Sequence, residues 1–152
     1  MRNYSTFGIS ANGATGGSCW NLTTDTTALV PARVYDLTIG LGSAPNATDF
    51  ELQCIIVRTT SAGVGGSTKT PLPLDPAGSP AGTVNVSTGH AGFAPTFTQT
   101  LLTLSFNQLD VCRWWCTPRR ELRGLATSAN GIGLQHTSTP TNQIYSTVMF
   151  QE

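Results

Sequence analysis

Residues 110–122 read DVCRWWCTPRREL, and the conformation assigned to this stretch decides the fold. It holds two cysteines four positions apart, two adjacent tryptophans and the start of an arginine cluster. On a helix, Cys112 and Cys116 would share a face and could meet in a disulfide or around a metal. On a strand they lie about 13 Å apart, at roughly 3.3 Å per residue. A disulfide needs Cα atoms within about 7 Å. The tryptophan pair, Val111 and Thr117 are poor helix formers, and Pro118 would break a helix. The stretch therefore reads as a strand. Cys112, Trp114 and Cys116 point to one face, and Val111, Arg113 and Trp115 to the other. Free cysteine packs as a small hydrophobe, so Cys54 and Cys112 suit a core.

The same period-2 pattern recurs along the chain. In RVYDLTIGLG (33–42), Tyr35, Leu37, Ile39 and Leu41 oppose Val34, Asp36 and Thr38. In DFELQCIIVRTT (49–60), Phe50, Leu52, Cys54 and Ile56 share a face, with Glu51 and Gln53 turned away. TFTQTLLTLSF (96–106) places Leu102, Leu104 and Phe106 together, and NQLD (107–110) reads as a hairpin turn. Asn130-Gly131 is a strong turn pair, and QIYSTVMFQE (143–152) is a closing strand. Helical periodicity is absent, and Lys69 is the only lysine. Short β runs punctuated by Gly, Pro, Thr, Ser and Asn predict an all-β chain, a single antiparallel β-sandwich of jelly-roll-like type.

Two regions depart from this pattern. Residues 1–25 are rich in Gly, Ser, Asn and Thr and read as a flexible N-terminal arm, leaving 26–152 as the sandwich domain. Residues 61–95 carry so much Pro and Gly that they read as one long loop, with a turn at Asp75-Pro76.

Composition narrows the function. The 152 residues suit one domain, and only 11% are charged, with a formal net charge of zero. The usual charged share is about 25%. Charge keeps soluble proteins apart, so this surface suits either docking or a wet Thr/Ser coat. A nucleic-acid binder normally shows a basic excess, so no nucleic acid is expected. No apolar run approaches the ~20 residues that span a bilayer, and MRNYSTFGISANG lacks a signal-peptide core, so neither membrane nor secretion is expected. Free thiols are then the default.

No catalytic constellation is legible. Gly-x-Ser-x-Gly, His-Glu-x-x-His and P-loop patterns are missing, and GVGGST (63–68) lacks the Lys-Ser/Thr ending. His90 and His136, the only imidazoles, sit in loop-like contexts. Structural zinc wants four ligands in close pairs, whereas Cys19 and Cys54 are isolated. No catalytic residue, cofactor or metal is expected. Asn-x-Ser/Thr at Asn3, Asn21, Asn46 and Asn85 is what a Thr/Ser-rich chain produces by chance.

What remains is interface chemistry. Arg113, Arg119, Arg120 and Arg123 are the one concentration of charge, and arginine is favoured where bidentate pairing matters. Trp115 beside Arg113 is the composition interfaces enrich, unless a second layer covers that face. The candidate interface residues are Trp20, Arg113, Trp115, Arg119, Arg120 and Arg123.

Several stretches together resemble small structural proteins of tailed bacteriophages. They are LVPARVYDLTIGLGSAPNATDFELQCIIVRTTSAG from Leu29, LDP at 74–76, PTFTQTLLTLSFNQ, CRWW, ELRGLATSANGIGLQ and the final STVMFQE. The resemblance implies a capsid cement (decoration) protein. Such a protein sits on the virion's outer capsid surface after synthesis in the host cytoplasm. It bridges neighbouring copies of the major capsid protein, often as a homotrimer. The rival expectation is a carbohydrate- or receptor-binding β-module of a phage tail or fibre, stacking sugars on Trp20 and Trp115.

Overall fold

The computed structural model describes residues 2–10, 17–42, 45, 47–63, 65–75, 77, 83–90, 95–137 and 143–152. The turn expected at Pro76 and the Asn46 motif lie outside these residues. The described residues form two antiparallel sheets. One contains β3 (Arg33–Leu41), β12 (Ile144–Gln151), β1 (Asn3–Ile9) and β6 (Leu72–Pro73) in that order. On its other side β3 pairs with β9 (Cys112–Trp115) and β10 (Leu122–Arg123). The second sheet runs β5 (Ser67–Lys69), β7 (Asn85–His90), β2 (Ser18–Thr23), β11 (Gly131–His136), β4 (Glu51–Thr59) and β8 (Phe97–Asn107). The all-β sandwich expected from the alternation is the observed architecture.

The inner faces meet in one core. Leu37, Ile39, Val148 and Phe150 of the first sheet pack with Trp20, Leu22, Leu52, Ile56, Ile132 and Leu134 of the second, all fully buried. Tyr4 and Phe150 are register partners, and their rings stack at 5.7 Å between centroids. In β4 the predicted face holds: Leu52, Cys54 and Ile56 are buried while Glu51 and Gln53 are exposed. In β9 the predicted division also holds, with Cys112 and Trp114 half-buried and Arg113 and Trp115 exposed.

Other expectations are corrected. The N-terminal segment is not an arm, because β1 lies between β12 and β6 and every residue of β2 is buried. Its glycines misled the reading. A Cβ on Gly8 would sit 2.5 Å from the Cys19 carbonyl oxygen and 2.7 Å from Trp20 Cδ1, so Gly8 marks where the two sheets touch. Residues 61–95 are not one loop either. They contain β5 and β6 at sheet edges, where Pro73 is tolerated, and β7, whose Val86, Thr88 and His90 face inward. His90 and His136 are buried strand residues rather than loop residues.

Residues 108–110 do not close a hairpin. β8 pairs with β4 and β9 with β3, so this segment carries the chain from one sheet to the other. Gln108 secures the crossing by donating from Nε2 to the Thr48 carbonyl at 3.1 Å. In β3, Val34 rather than Tyr35 joins Leu37 in the core. The register slips there: Met149 faces Asp36 and Phe150 faces Val34, leaving Tyr35 as a bulge. The Asn130-Gly131 turn is present one step early. Ala129 takes the positive φ of 62°, and Gly131 opens β11 where a Cβ would fall 2.0 Å from the Leu22 carbonyl oxygen.

Candidate interface

The two sheets differ on their outer faces. On the second sheet, the chain leaving β4 crosses over β2. Asn21 Nδ2 donates to the carbonyls of Ser61 (3.0 Å) and Ala62 (3.3 Å), and Thr59 Oγ1 donates to Asn21 Oδ1 at 2.9 Å. That strap explains why β2 is buried on both faces. Beyond it, β4 and β8 present polar side chains outward, among them Glu51, Gln53, Thr103 and Ser105.

The outer face of the first sheet is open and largely apolar. Its register places side chains in rows across the strands. Trp115, Asp36, Met149, Ser5 and Leu72 form one row. Arg113, Thr38, Thr147 and Phe7 form the next. Gly40, Tyr145 and Ile9 form a third, and Val111 packs beside Gly40. Trp115 is 65% exposed, Val111 70%, Leu72 64%, Phe7 48% and Tyr145 43%. Five neighbouring strands at about 4.8 Å make this face roughly 20 Å across. Solvated sheet faces are ordinarily polar, whereas this one carries five exposed large apolar side chains.

Charge on this face is neutralised locally. Arg113 donates from Nε to Asp36 Oδ1 at 3.1 Å and from Nη2 to Oδ2 at 2.6 Å. The guanidinium hydrogen bonds hold the Asp36 carboxyl below its usual range, against a smaller opposing effect of burial. Lys69 extends its ammonium over the Phe7 ring, 5.0 Å from the centroid.

At the end of the sheet where β3 begins lies a recess of about 470 Å³. Tyr35, Cys116 and Pro118 give its apolar wall; Arg33, Arg119 and Arg123 bring three guanidiniums. Among the described residues, Glu121 is the one acid of the lining. Its carboxyl is held below the ordinary value, first by the Arg119 backbone N–H and next by its own backbone N–H. The positive charges of Arg123 and Arg33 act in the same direction.

Of the six candidate residues, Arg113, Trp115, Arg119 and Arg123 thus converge on one face and its end. Arg120 is exposed in the turn but does not line the recess. Trp20 is the correction: it is fully buried between the sheets and meets no partner. The sequence reading missed Phe7, Leu72, Tyr145 and Arg33. The alternation of Phe7 with Tyr4 and Thr6 was a usable signal, whereas nothing in the order of residues places Arg33 beside Arg123.

The thiols are packing groups. All four cysteines are free. Burial pushes Cys54 up to about 12, with a further rise from Cys112, and raises Cys19 well above its ordinary value. Among the described residues, no three His, Cys, Asp or Glu side chains are grouped to hold a metal ion.

Searches against protein families, curated proteins and solved structures return no match for this chain.

Proposed function

We propose that this protein is a capsid cement (decoration) protein, which docks on the outer surface of an assembled phage head and bridges neighbouring major capsid proteins. Two things support the reading. The first is the resemblance of the stretches from Leu29 onward to that group. The second, which carries the structural side, is the open apolar face centred on Trp115, Tyr145 and Phe7. A sheet face offering exposed aromatic anchors is suited to passive clamping. Burying such a face costs less backbone entropy than ordering a loop, because strand pairing already fixes the backbone. Repetition over a symmetric shell, and trimerisation of the clamp, would multiply modest contacts into high occupancy. In this reading the protein performs no catalysis and carries no cofactor.

The test mixes purified protein with assembled, expanded shells and, separately, with unassembled capsid protein. Binding to shells alone is the expected outcome. Binding to neither retires the proposal. A glycan-binding module would instead stack sugars on exposed aromatics, and the burial of Trp20 removes one of the two that reading relied on.

A further inference from the structure

The recess at the start of β3 has features that the apolar face does not explain. Neither Arg33 nor Arg119 gives a side-chain hydrogen bond or ion pair to any described residue. Glu121 does not absorb them. Its Oε1 accepts the Arg119 backbone N–H at 2.7 Å, and its Oε2 is 3.8 Å from Arg123 Nη2, too far for a hydrogen bond. One carboxylate oxygen thus shapes the turn, and the other, buried without a hydrogen bond, offsets part of the charge of Arg123 and Arg33. A single acid among three arginines leaves the recess a net positive charge. An arginine with no acceptor beside apolar walls is poised for an incoming anion.

The backbone adds an independent observation. Arg120 donates its N–H to the Thr117 carbonyl at 3.1 Å, closing a turn with Pro118 and Arg119 at its centre. Arg119 has φ = +74°. Proline followed by a residue of positive φ is the signature of a type II turn, whose third position normally falls to glycine. The chain holds an arginine in a conformation that favours glycine, and that arginine lines the recess. Such outliers persist where the surrounding structure over-determines them, and they cluster at ligand and active sites.

The shape of the site selects among anions. A nucleic-acid track would continue the positive charge, yet the neighbouring Arg113 is already paired with Asp36. A bare inorganic anion would leave Tyr35, Cys116 and Pro118 unused. A carboxylate carried beside an apolar side chain uses both halves, and a volume of about 470 Å³ admits one or two residues of a chain.

We propose that this recess seats an Asp or Glu side chain, flanked by an apolar residue, presented by the protein on which the Trp115 face docks. The proposal rests on the docking reading for the nature of the partner, and on the recess itself for the chemistry. The carboxylate bridges Arg33, Arg119 and Arg123, and its apolar neighbour lies against Tyr35 and Pro118. The contact sets register on the partner, while the apolar face supplies area.

The test is an amide-resolved NMR titration of the full chain with the peptide acetyl-Leu-Glu-Leu-amide. Acetyl-Leu-Gln-Leu-amide and sodium sulfate serve as comparison probes. The glutamate peptide is expected to shift the amides of Tyr35, Cys116, Arg119 and Arg123 at millimolar concentration, and the glutamine peptide is not. Arg119→Gly, which the turn accepts, and Arg33→Ala are each expected to weaken the glutamate peptide about tenfold. Equal melting temperatures of these variants and the parent keep the comparison free of folding effects. No shift with the glutamate peptide, equal shifts with the glutamine peptide, or unchanged affinity in Arg119→Gly would each overturn the proposal. So would sulfate shifting the same amides as tightly as the peptide, which would define a bare anion site. Shell binding measured in parallel separates the two readings. Peptide binding without shell binding retires the cement role and leaves the recess. Shell binding without peptide binding does the reverse.

Discussion

Arg113 and Asp36 lie diagonally across the β9–β3 pair and join through two hydrogen bonds, Nε to Oδ1 at 3.1 Å and Nη2 to Oδ2 at 2.6 Å. The pair tucks a carboxylate into a face otherwise made of apolar side chains with Ser5, Thr38 and Thr147 among them. Asp36 keeps 13% of its side chain exposed and Arg113 64%, so the arginine covers the acid from the solvent side. The arrangement makes a pH prediction. The folded pKa of Asp36 is depressed below the unfolded value of about 3.9. Its contribution is therefore present above that unfolded value and is lost as pH falls through the folded pKa. Denaturant titrations between pH 6 and strong acid should show parent stability falling more steeply at the acid end than that of Asp36→Asn. Parallel acid limbs would show that the pair does not contribute.

The two tryptophans that the sequence placed in one category separate by location. Trp115 is exposed on the open face, and Trp20 is sealed between the sheets. Trp115→Ala should leave stability within about 0.5 kcal/mol, as surface changes do. Trp20→Ala should cost about 3–5 kcal/mol through the cavity it leaves. In the shell-binding assay Trp115→Ala should lose occupancy while remaining folded. Retained occupancy would move the docking surface elsewhere.

The legible part of this fold was the part governed by alternation. Leu52, Cys54 and Ile56, or Cys112 and Trp114 against Arg113 and Trp115, follow from a period of two and need no knowledge of the partner strand. The bulge at Tyr35 was not legible, because an extra residue in β3 is defined only against Met149 and Phe150 of β12. The crossing at Gln108 was misread for a related reason: local pattern shows that two strands meet at a turn, not which sheet each enters. β1 and β2 were lost because the glycines in and around them look like flexibility in sequence, whereas Gly8 proves to be a point of contact between the sheets. Of the candidate interface, the β9 residues came from alternation. The rest of the face belongs to β1, β6 and β12, which only the register assembles.

Gly8 supplies the sharpest packing test. It sits inward on β1, opposite Ser146, with the Cys19 backbone against it. Gly8→Ala puts a methyl group 2.5 Å from a backbone carbonyl oxygen, which no side-chain rotation can relieve. The two sheets must separate locally, at an expected cost of about 1–3 kcal/mol. Urea denaturation would read this as a lower midpoint with an unchanged slope. A midpoint equal to the parent's would mean that the sheets do not touch there.

The thiols make a chemical prediction. Burial holds Cys19 and Cys54 protonated at neutral pH, and the thiolate is the reactive form. A disulfide-exchange reagent at pH 8 should leave both unmodified in the folded protein and label all four cysteines once denaturant is added. Cys112 and Cys116, half-buried on β9 and just after it, should react slowly in the folded state. Mass spectrometry of digested protein distinguishes the sites. Rapid labelling of Cys54 would contradict its place in the core.

Removal of residues 1–20 separates an arm from a structural strand. A dispensable arm would leave a folded domain with altered binding. Here the deletion takes all of β1, which pairs with β12 along seven residues, and the half of β2 that carries Trp20. The first sheet would lose an internal strand and the second half of one, and β12 and part of β7 would expose unpaired edges beside an opened core. Unpaired edges of this kind template aggregation. The truncated chain should therefore be insoluble or unfolded by circular dichroism. A soluble, cooperatively melting truncation would show that the sandwich does not depend on these strands, which the pairing of Tyr4 with Phe150 argues against.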